Sequence, residues 1–171
     1  MNFELTQYWN GDACSAQSRV SLSIHEEGEC LRLDVDAPFY NDPAPQSPAG
    51  STPHLWEYEV VECFIVGEGR PVPYIEIELG PHGHHLVLQL CGIRTIVQTY
   101  PSISYTATIH GERWSGTAFI PKAWLPNGPW THNAFAIHGQ GLARKYLTLY
   151  PTLGAQPDFH RLHTFRPLEM M

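Results

Sequence analysis

Two glutamates in a strictly alternating run are the residues in this sequence most readily given chemistry. In Tyr74-Ile75-Glu76-Ile77-Glu78-Leu79, a strand puts Tyr74, Glu76 and Glu78 on one face and Ile75, Ile77 and Leu79 on the other. Glu76 and Glu78 then sit roughly 6.5 to 7 Å apart along the chain, from the rise per residue. Where water is restricted, each carboxyl raises the cost of ionising the other. One stays protonated while the other ionises, the arrangement that acid and base chemistry uses. Alternating glutamates on a solvated strand give the same pattern, so both readings stand, and Arg144 is the nearest counter-charge by type.

The same parity, applied to other apolar and polar alternations, gathers a polar and aromatic set. His85 and Gln89 oppose Leu86, Leu88 and Leu90; His138 and Gln140 oppose Phe135 and Ile137; Arg144, Tyr146 and Tyr150 oppose Leu147 and Leu149. If these strands share one sheet, its non-core face presents Tyr74, Glu76, Glu78, His85, His138, Arg144, Tyr146 and Tyr150, with Trp56 as a further aromatic contact. Tyr, His and Arg give oriented hydrogen bonds and flat stacking surfaces, which a ligand face needs and a plainly wet face does not. An ordinary exposed face or an oligomer contact is the competing reading.

Glu62 is anomalous because it shares parity with Trp56, Tyr58, Val60, Phe64 and Val66. An acid on an apolar face must be neutral, paired or turned outward by a bulge. A structural bond to backbone amides or to an arginine is the expectation. His82-Gly83-His84-His85 and His160-x-x-His163 invite a metal reading, but Pro81 and Gly83 mark a turn and successive histidines on a strand point to opposite faces. No metal and no cofactor is expected, although carboxylates and carbonyls near Asn41-Asp42 have the chemistry for calcium. Gly-x-Ser-x-Gly, P-loop and dinucleotide fingerprints are absent, and no residue is nominated as catalytic.

The elements that must position these residues are strands. Fifteen prolines and fourteen glycines cut the chain of 171 residues into short segments, most of which alternate with period two. Candidate strands are Arg19 to His25, Cys30 to Ala37, Leu55 to Val66, Pro73 to Leu79, His85 to Cys91, Arg94 to Tyr100, Ser104 to His110, Trp114 to Ile120, Ala134 to Gly139 and Arg144 to Tyr150. The first two read as a hairpin, and Pro121 to Leu125 as a helical turn. Residues 38–54 hold five prolines and read as a long surface loop. About ten strands at this spacing suit an all-β fold, a two-sheet antiparallel β-sandwich of jelly-roll type, as one domain over residues 1–171.

Ten Lys plus Arg against seventeen Asp plus Glu, with no block of like charge, argue against nucleic acid and anionic membranes as partners. No run approaches the ~20 apolar residues of a membrane span, and the first residues lack a secretory pattern, so a cytoplasmic location is expected. Cys14, Cys30, Cys63 and Cys91 lack zinc or redox spacing and read as free thiols.

With these residues in view, Ala37-Pro38-Phe39-Tyr40-Asn41-Asp42-Pro43, Leu55-Trp56-Glu57-Tyr58-Glu59-Val60-Val61-Glu62, Tyr74-Ile75-Glu76-Ile77-Glu78, Gly80-Pro81-His82-Gly83-His84-His85-Leu86, Asn133-Ala134-Phe135-Ala136-Ile137-His138-Gly139 and Pro157-Asp158-Phe159-His160-Arg161-Leu162 resemble a family of small stand-alone proteins of uncharacterised function. More distantly, the order Leu-Trp-Glu, Val-Glu-x-Phe, Tyr-x-Glu-x-Glu, Pro-x-Gly across Leu55 to Gly83 is similar to carbohydrate-binding module family 9. That resemblance implies a jelly-roll sandwich with a concave ligand face, sugars held between tryptophan rings, and structural calcium in some members. None of Trp9, Trp56, Trp114, Trp124 and Trp130 is assigned to such a clamp from the sequence.

Three functions follow as expectations. The first is a small-molecule binding protein for a carbohydrate or glycoside. The second is a cofactor-independent isomerase, cyclase or hydrolase that pairs a glutamate with His85 or His138. The third is an interaction module that docks a protein partner through the Pro-rich loop.

Overall fold

Alternation along Val20–Glu27 and Cys30–Pro38 closes the first hairpin in register, Ser21 opposite Asp36 and Glu27 opposite Cys30, around Gly28 at φ +57°. The computed structural model describes residues 1–169. Its strands are β1 (Asn2–Leu5), β2 (Gln7–Tyr8), β3 (Val20–Glu27), β4 (Cys30–Pro38), β5 (Val60–Val66), β6 (Pro73–Leu79), β7 (His85–Cys91), β8 (Ile96–Tyr100), β9 (Ser104–His110), β10 (Arg113–Pro121), β11 (Trp130–His138), β12 (Lys145–Thr148) and β13 (Arg166–Leu168).

The strands form two antiparallel sheets packed as a jelly-roll sandwich. The smaller sheet runs β1-β3-β4-β10-β9, and the larger runs β2-β12-β11-β5-β6-β7-β8 with β13 also paired to β11. Between them lies the main core. Leu22, Ile24, Leu31, Leu33, Trp114 and Ile120 of the smaller sheet meet Val61, Cys63, Ile65, Ile75, Ile77, Leu79, Ala134 and Ala136 of the larger.

The larger sheet is also covered on its other face. Val60, Phe64, Val66, Tyr74, Leu86, Leu88, Leu90, Phe135 and Ile137 form a second apolar layer, capped by Leu55, Phe159, Leu162 and Phe165 from segments outside the sheet. Phe135 stacks on Phe159 at 3.9 Å between centroids, and Phe64 meets Phe165 edge-on at 6.1 Å. All seven residues of β5 are therefore buried, as are Tyr74–Leu79 of β6.

Several segment boundaries differ from the sequence expectation. Leu55 to Val66 is not one strand: Leu55–Glu57 is a 3-10 turn with His54 before it at φ +58°, and the strand starts at Val60. The strand expected from Arg94 begins at Ile96, and Arg144 follows the 3-10 turn Gly141–Ala143 instead of opening β12. Strands β1, β2 and β13 are short edge pieces with too few residues to alternate visibly. The Pro-rich stretch at 38–54 lies against the sheet edge. Thr52 N–H donates to His85 O, His85 N–H to Gly50 O, and His84 Nε2 meets Ser47 O at 2.9 Å. The four cysteines are unpaired, and among the described residues no helix is long and apolar enough to cross a membrane.

Ile77, fully buried between the sheets, and Val97, 54% exposed on the outermost strand, set the range expected for truncation. Ile77→Ala should lower unfolding free energy by about 2 to 5 kcal/mol in urea titration, whereas Val97→Ala should stay within about 0.5 kcal/mol.

Candidate functional site

Register across β5 and β6 brings three glutamates together on the outer face of the larger sheet. Glu62 pairs with Glu78 and Phe64 with Glu76, so the three side chains emerge on one side, inside the second apolar layer. One oxygen from each carboxyl lies within 4.8 Å of the others. Glu62, Glu76 and Glu78 are exposed by only 1%, 5% and 0%.

Desolvation disfavours their charged forms. Burial holds Glu62 well above the ordinary carboxylate range, with Glu76 adding to the effect and Arg144 opposing it. Burial, then the neighbouring Glu62 and Glu76, does the same to Glu78. Glu76 is pushed up by burial to about 7. Oε1 of Glu62 and both carboxyl oxygens of Glu78 have no hydrogen-bond partner among the described residues.

Above the glutamates is a pocket of about 550 Å³, within the size range of small-molecule sites. Glu62 and Glu76 belong to its floor with Leu88, Leu90 and Ile137, while Trp56, Tyr146 and Phe159 supply aromatic rings. Arg94, Asp158 and His160 also line it. A second hollow of about 440 Å³, lined by Tyr8, Trp9, Asn10 and Asp12 among others, shares Arg144 and Tyr146 with the first.

Two hydrogen-bonded assemblies hold the walls. Arg94 N–H donates to Tyr74 Oη at 2.9 Å, and Tyr74 Oη lies 2.7 Å from His160 Nδ1. The phenol accepts from Arg94 and can either donate to Nδ1 or accept from it. When the phenol donates, the His160 proton sits on Nε2, 3.9 Å from Glu76 Oε2. Burial, with Arg94 adding, holds His160 down to about 4, so at neutral pH a neutral imidazole faces the Glu76 carboxyl and the contact is no ion pair. Arg94 Nη2 reaches Asp158 Oδ1 at 2.7 Å, and that oxygen also accepts His160 N–H at 3.0 Å. In the second assembly Arg144 donates to the carbonyls of Glu57 at 2.9 Å, Gly139 at 3.3 Å and Trp56, which fixes the turn that presents the indole.

Of the residues nominated from the sequence, Trp56, Glu76, Arg144 and Tyr146 line this pocket. Tyr74 and Glu78 share the face but lie sealed beneath it, each 0% exposed. His85, His138 and Tyr150 lie elsewhere. The parity assumed for β7 and β11 is reversed, because Leu86, Leu88, Leu90, Phe135 and Ile137 face the second apolar layer and their alternates face the sandwich side. The assumption that apolar means inner and polar means outer fails on a sheet buried on both faces. His85 accepts from Ile103 N–H at 3.4 Å and meets Tyr105 edge-on. His138 stacks on Tyr40 at 3.5 Å, and burial holds it down to about 4. Tyr150 packs edge-on to His132 and under the Arg166 guanidinium. Nor is Arg144 the direct ionic partner of a glutamate, since backbone carbonyls take its N–H groups. At the 38–54 loop, Glu59, just before β5, accepts Tyr40 and Asp42 N–H, and Asp42 accepts Gly139 N–H, so these carboxylates bond backbone amides.

Comparison with known proteins places this architecture. No family model matches the chain. The UPF0462 protein C4orf33 homolog of Mus musculus is 39% identical over 178 residues, covering 98% of this chain and 90% of its own. This chain belongs to the UPF0462 family. The Homo sapiens UPF0462 protein C4orf33 is 34% identical over 174 residues, covering 97% of this chain and 86% of its own. Among solved structures, this UPF0462 chain is similar to a candidate carbohydrate-binding protein from Bacteroides uniformis, with TM-score 0.75 at 16% identity over 100% of this chain and 86% of that one. It is also similar to a carbohydrate binding module family 9 domain from Caldicellulosiruptor kristjanssonii in complex with cellotriose, with TM-score 0.53 at 9% identity over 88% and 72% of the two chains. At such identities the likeness of the UPF0462 chain to these structures is one of fold.

Glu76 gives a pH signature. Its carboxyl titrates near 4.5 ordinarily and at about 7 in the fold, so between these values the unfolded chain has released a proton that the folded chain keeps. Its contribution to stability is then complete below the unfolded value and is lost as pH rises through the folded one. Chemical denaturation across this range should show wild type losing stability relative to Glu76→Gln as pH rises, then levelling above about 7. A pH-independent difference would mean that Glu76 titrates normally.

Proposed function

We propose that this protein binds a small carbohydrate or glycoside in the pocket on the outer face of its larger sheet. The observation that carries this reading is the combination of the aromatic rings of Trp56, Tyr146 and Phe159 with the Glu62 and Glu76 carboxyls on a floor fixed by β5 and β6. Flat rings match the apolar faces of a sugar ring, and convergent polar atoms match its hydroxyls. The sheet positions the carboxyls more precisely than loops would. The shared fold supports the same reading, since the family 9 module was solved with cellotriose and also with glucose.

Heat-shift screening with mono- and oligosaccharides and glycosides tests it, because a ligand at ~100 times its Kd stabilises by about 2.7 kcal/mol. A broad panel without a stabiliser overturns the proposal. Trp56→Ala should weaken the binding of any hit by about tenfold or more, from loss of an aromatic contact. Arg144→Ala should weaken it and also destabilise the fold by on the order of 1 to 3 kcal/mol, because its donors hold the Trp56–Glu57 turn. Urea titration and calorimetry on that one variant separate the two effects.

One observation favours a second reading, a cofactor-independent enzyme. Glu76, pushed up by burial to about 7, lines the pocket and can take up or release a proton at neutral pH, with neutral His160 3.9 Å away. His160 takes the part that the sequence suggested for His85 or His138. Turnover of a bound glycoside that is lost in Glu76→Gln, with binding retained, would select this reading over simple binding.

A further inference from the structure

We propose that the pocket takes a ligand with a protonated amino group, an amino sugar in the carbohydrate reading on which this inference rests, and that the ammonium seats against Glu62 and Glu76. The argument is one of charge and donors. Among the described residues no lysine or arginine bonds to Glu62, Glu76 or Glu78. Arg94 pairs with Asp158, and Arg144, whose charge is felt by Glu62, gives N–H groups to three backbone carbonyls and none to a floor carboxyl. The floor thus concentrates acceptor oxygens without a basic partner.

Glu62 is 1% exposed, lines the pocket and carries an unpartnered oxygen. A buried acceptor left unpaired is costly, and a charged one more so. A sugar hydroxyl brings one donor and no charge. An ammonium brings three donors and a positive charge to the same place. The Trp56 ring favours the same ligand, because aromatic faces attract cations; the Tyr146 ring already faces the Arg144 guanidinium at 5.8 Å. Glu78, sealed beneath Glu62 and Glu76, keeps its proton and does not touch the ligand, whereas a nearby ammonium favours the ionised forms of the two floor carboxyls it meets.

The test is calorimetric titration of the whole chain at neutral pH with glucosamine, glucose and N-acetylglucosamine, and with cyclohexylamine against cyclohexanol. Glucosamine should bind about tenfold or more tightly than the other two sugars, as expected for a charge-assisted hydrogen bond, and cyclohexylamine should outbind cyclohexanol. In Glu62→Gln and Glu76→Gln the ratio of glucosamine to glucose affinity should fall towards one. Equal affinity for the three sugars would overturn the ammonium site and leave the carbohydrate reading standing. A preference for cyclohexylamine with no sugar bound would do the reverse. Absence of amine preference in both sets overturns the inference on wild-type protein alone, whatever the variants do. Stabilisation by Mn²⁺ that disappears in Glu78→Gln would also overturn it, by assigning the carboxyls to a metal.

Discussion

Glu62, Glu76 and Glu78 carry their carboxyls into a layer from which Phe64, Phe135, Phe159 and Phe165 help to exclude water, and this desolvation conditions the rest of the site. Three ionised carboxylates could not share such a space, so protons are retained where solvated carboxyls would lose them. The same layer keeps His160 neutral and its Nε2 available to the pocket. Apolar covering and pocket chemistry are thus two effects of one arrangement, a sheet buried on both of its faces.

That arrangement explains which parts of the molecule were legible in the sequence. Period-two alternation located most strands because it depends only on local geometry, and the β3–β4 hairpin follows directly from it. Parity also put Tyr74, Glu76 and Glu78 on one face. The step that failed was choosing which face of β7 and β11 joined them. Leu86, Leu88 and Leu90 looked like a core stripe, and they are one, but the core they join is the second layer. Glu62 looked anomalous on an apolar face, and the β5–β6 register, which no local pattern encodes, turns that anomaly into a pocket floor.

Asp158, Phe159 and His160 were harder still. They lie in an irregular segment with no period to read, and their roles come from contacts with residues far away in sequence. His160 was visible only as half of a His-x-x-His pattern. The run Pro157-Asp158-Phe159-His160-Arg161-Leu162 stood out through family resemblance, which marks a segment without saying what it touches. Arg144 was legible as a residue aimed at this face, whereas its attachment to the Trp56 and Glu57 carbonyls required the 3-10 turn that strand periodicity had hidden.

The segment between β12 and β13 has a consequence for how the molecule comes into being. His160 meets Tyr74 across 86 positions of sequence and Asp158 meets Arg94 across 64, so this wall closes only when the end of the chain returns to strands made much earlier. Contacts so distant in sequence are among the slowest to be rewarded during folding. A chain halted before Asp158 has most of the sandwich's strands but lacks the Asp158, Phe159 and His160 side of the pocket, so this hollow takes shape only after the segment beyond β12 has been made and has folded back.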